Sequence, residues 1–190
     1  MCFISKIRWL IAGGTLGFAV ASGAATKGEV LQISEGRDAF MLAVPISKLE
    51  MSIPKNGFAE TKNTGGGAAG SPRYFSFQDE ETGVRLSGWF EAQGRFTSAR
   101  KVWEAETKDW SRRGLPVPAN VSFQAIGGWD AVVYDLPMPG GSNTHIRAHW
   151  VKSGTWIDVH LSMTSQRPIA ECRARVLAVL KTFQVKERKD

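Results

Sequence analysis

Between Thr144 and Met163 the apolar and polar side chains alternate with period two, and the segment reads as two half-buried strands joined at Ser153-Gly154. One parity holds Ile146, Ala148, Trp150, Ile157, Val159, Leu161 and Met163. The other holds His145, Arg147, His149, Asp158 and His160, with Val151 and Trp156 beside the turn. A two-residue turn sets His149 opposite Asp158, Arg147 opposite His160 and His145 opposite Ser162. A bulged three-residue turn would slip every pair by one.

The same patterning predicts the other elements. Strands are expected over Glu29–Ser34, Lys48–Pro54, Tyr74–Gln78, Val84–Glu91, Val121–Ile126 and Trp129–Leu136, most of them ended by glycine or proline. Gly83 suits the tight connection between the third and fourth predicted strands, Tyr74–Gln78 and Val84–Glu91, which form a hairpin. Ser98–Arg113 carries Ala99, Val102, Trp103 and Trp110 at helical spacing, with Gly114 as terminator. A last helix from Pro168 buries Ile169, Cys172, Val176, Val179, Leu180 and Phe183. The stretch 56–71, with its glycine run, reads as a flexible surface loop. It lacks the Gly-Lys-Ser/Thr and following helix of a phosphate-binding loop. Short antiparallel connections with two helices predict an α+β class: an antiparallel sheet of about six to seven strands with the two helices packed on it.

The first 25 residues have a different grammar. Lys6 and Arg8 precede an apolar run of about 12 residues, and small residues follow in Ala19–Ala25. Twelve residues fall short of the ~20 that span a bilayer as a helix. The expectation is a cleaved signal peptide at 1–25 and a single domain over 26–190. No second apolar run of membrane-spanning length follows.

Removing that segment leaves 22 basic against 18 acidic side chains, a scattered excess without the basic, aromatic-interleaved stripe of a nucleic-acid binder. Of two cysteines, Cys2 falls in the signal and Cys172 on the buried stripe of the last helix. No internal disulfide and no cysteine metal site is expected. An exported, disulfide-free chain of this size points to the bacterial periplasm.

Met51-Ser52-Ile53-Pro54, Gly128-Trp129-Asp130-Ala131-Val132-Val133-Tyr134 and the helix Ile169–Phe183, taken in that order, resemble the Mog1/PsbP-like fold group. The resemblance spans about Val30 to Phe183. It implies N-terminal strands, a helix, a multistranded antiparallel sheet and a C-terminal helix, and it lowers the expectation of an enzyme, because the group includes accessory and partner-binding proteins.

The three histidines all lie in the 144–163 hairpin. His145 and His149, four residues apart on one strand, are about 13 Å apart at ~3.3 Å per residue, too far for one ion. His149, Asp158 and His160 are closer, but Arg147 opposite His160 would repel a cation, so no metal or cofactor is expected. His149 beside Asp158 makes an oriented base, yet no serine elbow or cysteine nucleophile accompanies it. Arg147, His149, Asp158 and His160 are therefore candidate ligand-binding residues for a small anion. The unsited alternative is that the face is simply wetted. The expected function is a non-catalytic periplasmic binding or accessory protein, with an unknown protein or small anionic ligand as partner. The alternative is a small periplasmic hydrolase or metal-dependent enzyme using the 144–163 hairpin.

Overall fold

The computed structural model describes residues 30–45, 47–61 and 71–188. The expected signal segment, 1–25, and the whole glycine run of the expected 56–71 loop lie outside them. The chain is α+β, built from two antiparallel sheets and two helices. Strands β1 (Gln32–Glu35), β2 (Ala39–Ala43) and β3 (Leu49–Pro54) form a meander that β11 (Gln184–Glu187) joins at the far end, in the order β1-β2-β3-β11. The larger sheet has seven strands in the order β4-β5-β6-β10-β9-β8-β7. Its members are β4 (Phe58–Glu60), β5 (Tyr74–Asp79), β6 (Val84–Ala92), β7 (Ala119–Ile126), β8 (Trp129–Asp135), β9 (Ser142–Lys152) and β10 (Thr155–Ser165).

The seven-stranded sheet and the antiparallel pairing agree with the sequence pattern. The four-stranded sheet does not: it was not expected as a separate layer. Its β2 has the two apolar inward positions of a strand, Phe40 and Leu42, but is only five residues long. β11 follows directly on the last helix, where pattern alone gives no break. β4 is cut from the expected 56–71 loop because Phe58 is buried against the core.

Helix α1 (Ala99–Arg112) begins at Ser98, whose side chain accepts the Lys101 N–H. It ends at Gly114 (φ 65°), after which the Leu115 N–H bonds the Trp110 carbonyl. Helix α2 (Ile169–Thr182) buries Cys172, Val176 and Leu180, with Phe183 just beyond it. Ile169, expected on that stripe, is the first residue of the helix and is 38% exposed.

The core lies between the two sheets and α2. Phe40, Leu42, Met51 and Ile53 of the small sheet pack with Phe75, Phe77, Leu86, Phe90, Ile146, Ile157 and Leu161 of the large one, and α2 closes the remainder. Gly88 is required here: a Cβ would meet the Asp158 carbonyl and lie 2.6 Å from the Phe75 ring. The opposite face of the large sheet is covered by α1 through Trp103, Val132 and Tyr134, with Trp110 and Leu136 at the rim. No helix of the described residues is long and apolar enough to cross a membrane.

Candidate functional site

The β9–β10 hairpin has the register that a two-residue turn dictates. Ser153 and Gly154 both take positive φ (51° and 77°), and Lys152 pairs with Thr155, His149 with Asp158, Arg147 with His160 and His145 with Ser162. Arg147, His149, Asp158 and His160 thus share one face, as expected, but in two groups: Arg147 and Asp158 with His149 beside them, and His160 with His145 and Tyr134. The face is not wetted: Asp158 and His149 are 0% and 1% exposed, because α1 and the aromatic side chains around it lie over the hairpin.

Arg147 is the hub. Its Nε and Nη2 donate to the two Asp158 carboxylate oxygens at 2.6 and 2.8 Å, a bidentate pair. Its Nη1 reaches Glu106 on α1 at 3.4 Å, and the guanidinium lies 4.7 Å from the Trp89 ring centre. Burial works to lower the Arg147 pKa, but Asp158 and Glu106 outweigh it and hold the group cationic. Burial raises the Glu106 carboxyl above its ordinary range, Arg147 pulls it back, and Asp158 adds to the rise.

The histidines are neutral members. Trp156 can only donate, and its indole N–H points at His149 Nδ1 at 3.2 Å, so Nδ1 is an acceptor and the ring proton sits on Nε2. That Nε2 is buried without a partner among the described residues. Asp158 Oδ1, 3.6 Å from Nδ1, therefore faces a lone pair rather than an imidazolium. The expected oriented base does not form: Trp156 takes the nitrogen and Arg147 takes the carboxylate. Burial lowers the His149 pKa, with Asp158 opposing.

The second pair runs from β9 to β10. His145 Nδ1 lies 3.0 Å from His160 Nε2, and the Tyr134 hydroxyl lies 3.4 Å from the same Nε2. An Nδ1–H on His145 donating to the single lone pair of His160 Nε2 makes the shorter contact, leaves the Tyr134 hydroxyl at the longer one, and leaves His145 Nε2 as a bare lone pair, which costs less than a buried N–H. Burial lowers His145 to about 4. It lowers His160 well below the usual histidine range, helped by His145 and Arg147. Tyr134 stacks on His145 at 5.0 Å and packs tilted against Trp103 at 4.6 Å, linking the pair to α1.

Three contributors escaped the sequence reading. Glu106 sits on the buried side of α1 in the run Ala99, Trp103, Glu106, Trp110, an acid on an apolar stripe facing a strand with an arginine. Tyr134 belongs to Ala131-Val132-Val133-Tyr134, apolar on both parities, the mark of a strand covered on both faces. Trp156 stands beside the turn in the alternation, and nothing in that pattern marks its indole as the donor to His149. Among the described residues no group of three or more histidine, cysteine, aspartate or glutamate side chains is arranged to hold a metal ion.

An open cavity of about 550 Å³ lies elsewhere, at the end of β8 and β9, lined by Asn120, Leu136, Pro137, Met138, Asn143 and Ile169. Asp135 at its base is fully engaged by Thr144, Asn120 and Arg173.

No family model matches the chain, and no curated protein does. It is similar to a protein of Bacteroides thetaiotaomicron VPI-5482 known from a crystal structure, at 14% identity and a TM-score of 0.42. The match covers 75% of this chain and 46% of that one, so this chain spans about half the length of its neighbour.

Proposed function

We propose that the chain is an exported, non-catalytic binding or accessory protein of the Mog1/PsbP-like type, acting in the periplasm on a protein partner or a small anion. The observation that carries the non-catalytic reading is the closure of the hairpin network. Arg147 is bonded to Asp158 and Glu106, His149 Nδ1 to Trp156, and His145 to His160, all beneath α1. A general base must have a free nitrogen within reach of a substrate proton; His149 Nδ1 is taken by Trp156 and His160 Nε2 by His145, and the bare lone pair on His145 Nε2 is buried. The network then serves as a latch between the sheet and α1. An anion reaching Arg147 would have to displace Glu106, the weaker of its two carboxylate partners at 3.4 Å.

The test is a panel of ester, phosphoester and peptide substrates, with thermal shift against inorganic anions and divalent metals. No turnover is expected, and any anion stabilisation disappears in Arg147→Ala. Turnover that is lost in His149→Gln, with the fold intact, would establish the hydrolase alternative. Export is checked by intact mass of protein from the native host. It should begin between Ser22 and Thr26, and retention of Met1 would refute cleavage.

A further inference from the structure

The four sheet edges are protected unequally. β4 ends the large sheet with three residues and Glu60. In the small sheet β1 is four residues ending in Glu35, and β11 is four residues bearing Lys186 and Glu187. Short strands and charge are the ordinary defences of an edge against pairing with another chain. β7 has neither: it runs for eight residues without a charged side chain, and all but Ser122 and Ile126 are exposed. Val117, Val121 and Phe123, just before it or on it, are three of the five exposed large apolar side chains among the described residues.

Backbone geometry adds to this. Gly127 and Gly128, at φ 56° and 87°, close a two-residue turn between β7 and β8. The Ile126–Trp129 pair next to such a turn is hydrogen-bonded, and alternation leaves Phe123 and Ala125 with N–H and C=O directed away from β8. At the strand's other end a bulge between Ala119 and Ser122 breaks the ladder where the cavity beside Asn120 and Met138 opens. Above the strand, Arg100 of α1 lies 4.2 Å from the Phe123 ring and forms no ion pair among the described residues.

We propose that β7 is the docking edge for an extended acidic segment of a partner protein, which adds to the large sheet as an eighth strand, seats an apolar side chain in the cavity beside Asn120 and sets a carboxylate on Arg100. The inference rests on the binding reading above and names its partner class. Strand addition takes affinity from main-chain bonds and selectivity from pockets beside the strand, and β7 offers both. A second copy fits less well, since antiparallel self-pairing about Phe123 would oppose two Arg100 guanidinia.

The test uses a random decapeptide display library panned on the full chain, with selected peptides measured by fluorescence anisotropy. Ala125→Pro deletes an outward N–H that the β7–β8 ladder does not use, and Arg100→Glu reverses the charge above Phe123. The expected result is an enriched pool carrying an acidic residue beside apolar ones. Its affinity falls on the order of tenfold or more in each variant. In Arg100→Glu the same peptides with lysine in place of the acid bind better than the originals. Should Ala125→Pro not fold, the Arg100→Glu charge swap decides alone. A pool indifferent to both variants overturns the β7 edge and leaves the binding reading standing. An unenriched library overturns the edge. So does a concentration-dependent dimer in sedimentation that is lost in Ala125→Pro, which would give the edge to a second copy.

Discussion

The two faces of the seven-stranded sheet are covered by helices of equal length, 14 residues each, but by opposite chemistry. On one side α2 lays Cys172, Val176 and Leu180 into a continuous apolar layer shared with the small sheet. On the other, α1 buries only Ala99 and Trp103 fully, and the space beneath it is filled by Arg147, Asp158, His149, His145 and Tyr134. An apolar layer is held by area and tolerates rearrangement, whereas a buried charged network is held by direction and fails when one member is removed. The same strand, β10, presents Leu161 to the first face and Asp158 to the second, so the two kinds of cohesion can be compared within a few residues.

The largest expected effect follows. Asp158→Ala leaves the buried Arg147 charge with only the longer Glu106 contact at 3.4 Å and should cost about 3–5 kcal/mol in chemical denaturation. Leu161→Ala, on the apolar face, should cost about 2–5 kcal/mol as a cavity. The two differ in rescue. Replacing both members of the pair, Arg147→Met with Asp158→Leu, should recover most of the loss, while no partner change repairs Leu161→Ala. A loss below about 1 kcal/mol for Asp158→Ala would place the pair in solvent and remove the contrast.

Acid should separate the faces next. His145 is held at about 4 in the fold, against about 6.5 in the unfolded chain. A folded pKa below the unfolded one gives stability that is full above pH 6.5 and lost as pH falls toward 4. From His145 alone the loss at pH 5 is about 2 kcal/mol. His149 and His160, both lowered, act in the same direction. Glu106 is raised, so its contribution is present below about 4.5 and lost as pH rises, a smaller opposing effect from one group against three. Denaturation at pH 7 and pH 5 should show this drop, and His145→Phe should flatten it. A slope that survives in His145→Phe, His149→Phe and His160→Phe would mean that acid acts elsewhere.

The hairpin register was legible because period two and a Ser-Gly turn admit few alternatives, and the face of Ile157, Val159 and Leu161 could only be core. What covered the opposite face was not legible. A strand pattern states which side chains share a face, not whether that face meets water or a helix, and five polar residues in a row favour water. The overlooked sign lay outside the hairpin. Val132 and Tyr134 on β8 extend the same face with buried apolar residues, and Glu106 interrupts the apolar stripe of α1 where Arg147 stands. The small sheet escaped for a different reason: β1 and β3 were expected as strands, but β2 and β11, five and four residues long, are too short for periodicity to declare itself.

The smallest expected effect concerns one proton. In the folded chain Trp156 donates to His149 Nδ1, which forces the ring proton onto Nε2, where it has no partner among the described residues. Trp156→Phe removes the donor and keeps most of the ring's volume. His149 is then free to carry its proton on Nδ1, facing Asp158 Oδ1 at 3.6 Å, and to leave Nε2 as a bare acceptor. The lost indole hydrogen bond costs about 0.5–1.5 kcal/mol, and relief of the orphaned N–H offsets part of it, so the net change should be about 1 kcal/mol or less. Long-range 15N–1H correlation should show the Nε2–H tautomer in the unaltered protein and the Nδ1–H tautomer in the variant, with a higher His149 pKa as Asp158 gains an imidazolium to face. An Nδ1–H tautomer already present before substitution would mean that Asp158, not Trp156, sets the ring. The polar face would then contain the oriented base that its closure argues against.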